Sequence, residues 1–286
     1  MLAKLEQLKS LLRECGRTLV AYSGGVDSVF LAKVAHDALG ADALAVIADS
    51  PSLPRRELQD ALNLAEQFGF PVRVIQTQEM ADDNYTSNPA NRCYFCKSEL
   101  FEKLAAIARA EGWQTIAYGE NASDIGDYRP GAQAAAEFQV KAPMKQVGLT
   151  KAEIRELSAQ LGLPTADKPQ MACLSSRIPY GEPVTTEALA MIEAAENVLR
   201  DAGFFDVRVR HHEAGTSKSE SRNPKLYLAR IEVGADELSQ LFGDQLRESV
   251  VASFKQIGYA YVTLDLQGYR RGSANELLVN TKETVP

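Results

Sequence analysis

Apolar and polar residues alternate along the first half of the chain in a pattern of short strands separated by single helices. Apolar runs typical of buried strands cover Thr18–Tyr22, Leu44–Ala48, Val72–Gln76 and Thr115–Tyr118. Helical spacing of apolar residues covers Val26–Leu39, Pro54–Phe68 and Cys96–Ala110. Parallel strands joined in this way require right-handed crossovers. The first half therefore predicts an α/β domain with a doubly wound parallel sheet, which binds ligands beyond the carboxyl ends of its strands.

The second half follows a different pattern, in which helices and strands no longer alternate one to one. Thr150 and Glu153 have the spacing of a capping box, which predicts a helix that ends at Leu161. Further helices are predicted at Thr186–Ala202 and Ala235–Ile257, and strands at Asp206–Arg210, Leu226–Val233 and Tyr259–Leu266. The polar stretch His211–Lys225 is predicted to be a flexible surface loop between two antiparallel strands.

These patterns divide the chain into three predicted segments. Residues 1–165 should form the nucleotide-binding domain. Residues 166–184 contain several prolines without a clear apolar period, and we predict an active-site loop and linker there. Residues 185–286 should form a smaller α+β domain for substrate binding and oligomerisation.

Composition and charge narrow the classes of function. The chain has 286 residues, of which 45% are apolar and 24% charged, as is typical of soluble globular proteins. No apolar run approaches the roughly 20 residues that span a bilayer, and the charged pattern of Met1–Arg13 is not that of a signal peptide. We therefore expect a cytoplasmic protein with no membrane segment. The net charge of −7 argues against nucleic acid as a partner.

A glycine-containing run joins the first predicted strand to the first helix of the sheet; it reads Ser23-Gly24-Gly25-Val26-Asp27-Ser28. A helix N-terminus presents unpaired N–H groups and a positive dipole end, and glycines let an anion approach closely. The run lacks the Gly-Lys-Ser/Thr ending of a P-loop and the spacing of a dinucleotide fold. It resembles the PP-loop of the ATP pyrophosphatases, which cleave ATP between the α and β phosphates.

Other polar residues fall where the predicted strands end. Asp49, Ser50 and Gly119 follow two of these strands, so we expect them to surround the nucleotide together with the glycine run. Mg²⁺ should neutralise the triphosphate, and Asp27 and Asp124 are candidate carboxylates for it, with helix capping as the alternative for each. Arg129, Arg208 and Arg210 are candidate anion-binding side chains.

Each of these arginines has its own context. Arg129 lies in an Asp-Tyr-Arg-Pro-Gly sequence and could clamp a phosphate or a substrate carboxylate. Arg208 and Arg210 are two residues apart on a predicted strand, so they share one face, while Val207 and Val209 take the other. The pattern alone leaves two interpretations of this pair open, a solvated strand face and a bidentate phosphate site.

Three of the four cysteines are candidates for metal or sulfur chemistry. Cys93 and Cys96 form a C-x-x-C pair before a predicted helix, a spacing that fits zinc, an iron–sulfur cluster or a redox pair. Cys173 is a third member, and three thiolates can hold three irons of a [4Fe–4S] cube and leave the fourth open to sulfide. Cys15 lies in an amphipathic helix and is predicted to be core.

Five blocks together resemble the LarE family of ATP-dependent sulfur transferases, which help to build the nickel-pincer nucleotide cofactor. They are SGGVDS, Gly119–Gly131, Cys173–Gly181, Val207–Glu213 and Ala229–Val233. The resemblance implies that ATP adenylates a carboxylate of a pyridinium dicarboxylate mononucleotide, releasing pyrophosphate, and that sulfur then replaces oxygen. Some members sacrifice the cysteine of the Ser-Ser-Arg loop, whereas others with three cysteines hold a [4Fe–4S] cluster. The present pattern implies the cluster type.

The resemblance also implies roles and partners. It assigns Arg208 and Arg210 to the substrate phosphate, and it places a further set near the substrate or a metal, namely Ser176, Arg177, Glu196 and Glu232. The ligands of the cluster would be Cys93, Cys96 and Cys173, and the last would be the reactive cysteine. The implied protein partners are further copies of this chain, which would form a homo-oligomer in the form of a hexamer, and the nickel-inserting protein of the same pathway.

Three other functions fit parts of the sequence. Some tRNA thiolation enzymes join a PP-loop to three cysteines, but the acidic chain shows no obvious RNA-binding appendage. An ammonia-using ligase like NAD synthetase would use the same adenylation without needing the cysteines. A non-catalytic iron–sulfur sensor that binds nucleotides would not release pyrophosphate.

Overall fold

The computed structural model of the protein describes residues 1–124, 130–169, 172–216, 225–270 and 272. The helices are α1 (Leu2–Cys15), α2 (Val26–Leu39), α3 (Arg55–Phe68), α4 (Asp83–Thr86), α5 (Arg92–Glu111), α6 (Pro130–Glu137), α7 (Pro143–Gln146), α8 (Lys151–Gln160), α9 (Thr186–Asp201) and α10 (Asp244–Ile257). The strands are β1 (Thr18–Tyr22), β2 (Ala43–Asp49), β3 (Val72–Gln76), β4 (Thr115–Tyr118), β5 (Val207–Thr216), β6 (Lys225–Val233) and β7 (Tyr261–Leu264).

The first four strands form one parallel sheet in the order β3-β2-β1-β4. The central strand β1 is buried along its whole length because helices cover both faces of the sheet. On one face Leu8, Val29 and Ile154 belong to a single apolar cluster, and on the other Phe101 and Ala134 pack together. The predicted doubly wound α/β fold is confirmed.

The last three strands form a separate mixed sheet in the order β5-β6-β7. β5 and β6 are antiparallel, and β7 runs parallel to β6. Helices α9 and α10 pack against this sheet through an apolar cluster that includes Leu199, Val209, Ile231 and Phe254. The smaller C-terminal α+β region is also confirmed.

Backbone contacts group the chain into two compact units. The first consists of Met1–Tyr85 and Asn91–Met171, and the second of Thr86–Ala90 and Ala172–Pro286. The short piece in the second unit is held there by Asn88, a fully buried residue at φ 56°. Its side-chain amide donates to three backbone oxygens, which belong to Ile178, Pro179 and Glu182.

Most predicted elements lie within one or two residues of the observed ones, and two predictions about local structure were wrong. Helix α5 begins at Arg92, so both cysteines of the C-x-x-C pair lie within it, whereas the predicted helix began only at Cys96. Strand β5 continues to Thr216, so His211–Thr216 is not a flexible loop. His211 is buried there, with its Nδ1 atom 3.1 Å from the Tyr259 hydroxyl. The rest of the predicted loop, residues 217–224, lies outside the described residues.

No helix in the described ranges combines the length and the apolar character that a membrane crossing requires.

Candidate active site

The glycine run forms a tight loop between β1 and α2. Gly24 has φ +71°, and a Cβ there would lie 2.7 Å from the Cβ of Ala61, so only glycine fits without a shift. Gly25 is the N-cap of α2 and provides no side-chain cap, which leaves the first N–H groups of the helix pointing out of the loop. The loop thus has the backbone geometry of an anion site.

The two serines of the run hold the loop closed. Ser28 is buried, its hydroxyl accepts from the Ser23 amide at 3.1 Å, and it donates to the Gly25 carbonyl at 3.1 Å. The two hydroxyl oxygens are 3.0 Å apart. Ser28 therefore shapes the loop, whereas the exposed Ser23 is nearer to solvent.

The end of β4 lies against this loop. At Gly119 a Cβ would sit 3.1 Å from the Cβ of Asp27 and 3.1 Å from the Ser28 nitrogen, so the close approach depends on glycine. Two residues later, the Asn121 side-chain amide donates to Asp27 at 3.3 Å. The sheet topology therefore joins two sequence blocks that are about 90 residues apart, as predicted from the strand ends.

Asp27 and Asp124 both contact Asn121. The Lys151 ammonium lies 2.5 Å from Asp27, while the Asn121 side chain contacts the other oxygen of the same carboxylate. Asp124 accepts from the Asn121 amide at 3.1 Å, a local capping contact at a short 3₁₀ turn. Carboxylate and amide oxygens from this group suit Mg²⁺, which takes few protein ligands and completes its shell with water and phosphate.

Asp49 and Ser50 lie at the end of β2. Burial raises the pKa of Asp49, but hydrogen bonds from Arg55 and Gln76 outweigh it and leave the pKa below its usual value. The Ser50 hydroxyl is 2.8 Å from that of Ser52 in a buried polar network. Both predicted residues are therefore at the same edge of the sheet as the glycine loop.

The second unit contains a buried arginine that organises the Ser-Ser-Arg loop. Arg177 is 2% exposed, and its guanidinium donates to the carbonyls of Ala172 and Cys173 at 2.8 and 3.1 Å. It also donates to the Ser176 hydroxyl at 2.8 Å and pairs with both oxygens of Glu196. These contacts fix the backbone on both sides of Cys173.

Glu196 is the acidic centre of this cluster. It is fully buried in α9 and accepts from Arg177 at 2.7 Å, Arg200 at 2.8 Å and the Val209 amide at 3.1 Å. Burial raises the pKa of Glu196, but the adjacent Arg177 and Arg200 cations outweigh it, so the net shift is downward. The carboxylate is thereby kept ionised.

Arg208 and Arg210 are 7% exposed each, so the solvated-face interpretation of this strand is wrong. Arg210 donates to the Ser176 carbonyl at 2.9 Å and pairs with Glu232 at 2.8 Å. Arg208 donates to the Val207 carbonyl at 2.7 Å, and Tyr269 covers its guanidinium. All six predicted residues of the substrate group belong to one unit: Ser176, Arg177, Glu196, Arg208, Arg210 and Glu232.

The cysteines have distinct environments. Cys93 is exposed and Cys96 half-buried in the first turn of α5, Cys173 is half-buried, and Cys15 is buried in α1 as predicted. Within the described ranges, no three His, Cys, Asp or Glu side chains gather closely enough to hold a metal ion. Arg129 lies outside the described residues.

Sequence reasoning missed several polar residues of these groups. Lys151 follows the Thr150 capping residue, and a capping motif does not indicate a contact with a distant residue such as Asp27. Arg200 lies four residues after Glu196 on the same helix, a spacing that could have indicated the pair. Arg230 pairs with Glu232 at 3.0 Å, and their spacing of two residues on one predicted strand could have indicated this pair as well.

Comparison with known proteins agrees with this architecture. The NAD synthase family pattern matches residues 3–106, which include the glycine loop. An uncharacterised protein of Synechocystis sp. is 45% identical over 96% of this chain and 98% of its own. The pyridinium-3,5-bisthiocarboxylic acid mononucleotide synthase of Lactiplantibacillus plantarum is 32% identical over 98% of this chain and 96% of its own.

A more distant relative matches this chain over only about half of its own length. A glutamine-hydrolysing GMP synthase of Thermomicrobium roseum is 25% identical over 78% of this chain and 48% of its own. The near full-length similarity to the Lactiplantibacillus synthase, together with the PP-loop domain, decides the assignment: the chain belongs to the LarE family and is an ATP-using PP-loop enzyme.

Proposed function

We propose that this protein is an ATP-dependent sulfur transferase that converts carboxylates of pyridinium-3,5-dicarboxylic acid mononucleotide into thiocarboxylates for nickel-pincer nucleotide synthesis. A carboxylate is a poor electrophile, since its charge repels nucleophiles and oxide is a poor leaving group. Adenylation would supply AMP as the leaving group and release pyrophosphate. The observation that carries the proposal is the uncapped helix N-terminus behind Gly24 and Gly25, in a chain related along its length to the Lactiplantibacillus synthase.

Asp27, Asn121 and Asp124 would hold Mg²⁺, which neutralises charge on the triphosphate. Lys151 balances the Asp27 carboxylate at 2.5 Å. If this carboxylate served Mg²⁺, the Lys151 ammonium would be available to a phosphate oxygen, because its side chain is half-exposed. Asp49 and Ser50 remain proposed nucleotide contacts at the neighbouring strand end, and Arg129 remains a proposed clamp.

The products of ATP test the first step. We expect AMP and pyrophosphate, formed only when the mononucleotide is present, and a product heavier by the difference between sulfur and oxygen. ADP and orthophosphate would contradict the proposal. Pyrophosphate release with ammonia as acceptor, and without sulfide, would favour an amide-forming ligase, the second candidate that the NAD synthase match to residues 3–106 supports.

Arg208 and Arg210 would bind the phosphate of the substrate. Their guanidinium groups lie on one face of β5, in a group in which five arginines outnumber the neighbouring acids Glu196, Glu232 and Asp265. Charge-assisted contacts contribute about 1.5–3 kcal/mol each, so Arg210→Ala should weaken substrate binding by roughly tenfold or more while ATP binding is kept. Unchanged substrate affinity would contradict this assignment.

The last part of the proposal concerns the group that supplies the sulfur atom. We propose that Cys93, Cys96 and Cys173 hold a [4Fe–4S] cluster, which would supply sulfide to the activated carboxyl carbon. The three-cysteine pattern of the sequence supports this proposal, whereas the described residues do not gather these thiols into a metal group. Anaerobically purified protein should contain iron and acid-labile sulfide, and a serine at any of the three positions should abolish both. Cys15→Ser is the matched control, because Cys15 is buried beside Lys141.

Sacrificial chemistry is the alternative for sulfur. In that case Cys173 would lose the elements of H₂S and become dehydroalanine after one turnover, and Cys93 and Cys96 would be dispensable. Intact-mass measurement after a single turnover separates the two. Homo-oligomer formation and product transfer to a nickel-inserting protein complete the proposal, and light scattering of the purified enzyme tests the first.

A further inference from the structure

The turn after β7 is fixed to β6 at several points. Asp265 opens the turn; its carboxylate pairs with Arg230 and its amide donates to the Ile231 oxygen at 2.8 Å. Near the other end, Gly268 has φ +68°, and a Cβ there would lie 2.8 Å from the Val233 oxygen. The turn therefore has little room to shift away from the sheet.

Tyr269 ends this turn, and its ring covers Arg208. Its amide donates to the Val233 oxygen at 2.8 Å, and the Cζ atom of Arg208 lies 4.7 Å from the ring centroid. Burial lowers the pKa of Arg208, and the Arg177 cation lowers it further, so this cation sits in an unfavourable environment. An aromatic face carries negative potential and stabilises a cation held over it, the more so when water is excluded.

We propose that Tyr269 is a positioning residue that sets the affinity of Arg208 for the substrate phosphate. This inference rests on the function proposed above. The Tyr269 ring lies over the Arg208 Cζ atom, and Arg208 also donates to the Val207 carbonyl at 2.7 Å, so two contacts restrict the guanidinium. A guanidinium restricted in this way can direct N–H groups at a phosphate without losing much freedom on binding.

The chemistry of the contact predicts which part of the tyrosine matters. The ring face lies over Arg208, so the contact does not require the hydroxyl group. Tyr269→Phe should therefore behave as the unmodified protein does, and Tyr269→Leu should not. Loss of one cation–π contact of this kind corresponds to an affinity change of about three- to tenfold.

The test compares two ligands that differ only in the phosphate. Pyridinium-3,5-dicarboxylic acid mononucleotide and its dephosphorylated riboside are titrated calorimetrically in the absence of ATP. The dissociation constant of the riboside divided by that of the mononucleotide measures the phosphate contribution. We expect Tyr269→Leu to reduce this ratio about three- to tenfold through weaker mononucleotide binding, with riboside binding unchanged. Tyr261→Leu is the control, because Tyr261 is an exposed tyrosine over Lys255 in the same sheet.

Each outcome separates this inference from the proposed function. If Arg208→Ala reduces the ratio but Tyr269→Leu does not, Tyr269 has no positioning role and the phosphate site stands. If Arg208→Ala leaves the ratio unchanged, the phosphate site itself is wrong. Tyr269→Leu could also weaken the binding of both ligands equally or fail to fold. In that case, phenylalanine and trifluorophenylalanine at position 269 are compared, because they have nearly the same shape but differ in the negative potential of the ring face. A lower ratio for the fluorinated ring supports the proposal, and equal ratios overturn it.

Discussion

The two polar sites of this protein differ in where their charge comes from. In the first unit the proposed anion site consists of backbone N–H groups at the start of α2, with half-exposed Asp27 and Lys151 beside it. In the second unit, charged side chains are almost completely buried around Glu196 and Arg177. Removing a half-exposed charge beside the first site should have little effect on folding, whereas removing one charge from a buried group leaves its partners uncompensated. The difference predicts separate effects of mutation on activity and on stability.

Glu196→Gln should give the largest loss of stability. It removes the buried negative charge that Arg177 and Arg200 share, and breaking such a group costs about 3–5 kcal/mol. Urea unfolding measures the loss, and hydrogen exchange should localise it to α9 and β5. The exposed Glu187→Gln on the same helix should change stability by less than about 0.5 kcal/mol. A Glu196→Gln protein as stable as the parent would refute the contrast between the two sites.

Asp27→Ala should have the opposite effect, a large loss of activity with little loss of stability. We expect kcat to fall by about 100- to 1,000-fold, because the proposed Mg²⁺ ligand is lost. Stability should change by at most about 1 kcal/mol, because the pair with Lys151 is half-exposed. Steady-state pyrophosphate release and thermal unfolding measure the two effects. Asp37→Ala, on the same helix and paired with Lys33, is the control. Full activity of Asp27→Ala would reduce this residue to a helix-capping role.

Acid should weaken the second unit before the first. Burial lowers the pKa of His211 from 6.5 to about 4, so the folded state binds fewer protons than the unfolded state between these values. His211 therefore contributes fully above pH 6.5 and loses up to about 3 kcal/mol as the pH falls towards 4. In the first unit, a hydrogen bond from the Lys4 side chain lowers the pKa of Glu153 to about 2. The contribution of Glu153 to the free energy of unfolding is therefore lost only as the pH falls below about 4.5.

Hydrogen exchange at pH 7, 5.5 and 4.5 tests this order. Amides of β5 and β6 should lose protection between pH 6.5 and 4.5 while those of β1 keep it. His211→Phe should flatten the dependence for β5. If β1 loses protection first, or if the substitution leaves the pH profile of β5 unchanged, His211 is not the responsible group.

Gly24→Ala should produce the smallest change in activity. It alters the backbone geometry of the glycine loop without changing any charge. Its φ of +71° and the 2.7 Å approach to Ala61 together should cost about 1–3 kcal/mol and raise KM for ATP severalfold. Gly40→Ala, at φ +59° with no neighbour within 4 Å, carries only the backbone cost and should leave KM unchanged. Equal KM values for the two variants would show that the loop tolerates the shift.

Local patterns of the sequence predicted much of the fold because the strands of the parallel sheet form apolar runs and a glycine follows each crossover helix, at Gly40, Gly69 and Gly112. The bounds of α2 and β1, and the Thr150 capping box, follow from such local signals. The start of α5 did not, because residues 92–95 have no apolar period. Packing stabilises this turn, since Gly131 lies against Lys97. The extension of β5 through His211 likewise depends on its pairing with β6, a contact beyond the range of any local pattern.

Neighbouring residues and blocks of fixed spacing are enough to identify the glycine loop, the parallel sheet and the family. Tertiary structure decided which charges meet. Lys151 reaches Asp27 across 124 positions, and Tyr269 reaches Arg208 from a turn that β6 anchors. The physical reason is that the packing of strands and helices, and not distance along the chain, decides which charged groups meet. For buried charges such as Arg208 the constraint is strict, because a buried charge is stable only beside a partner.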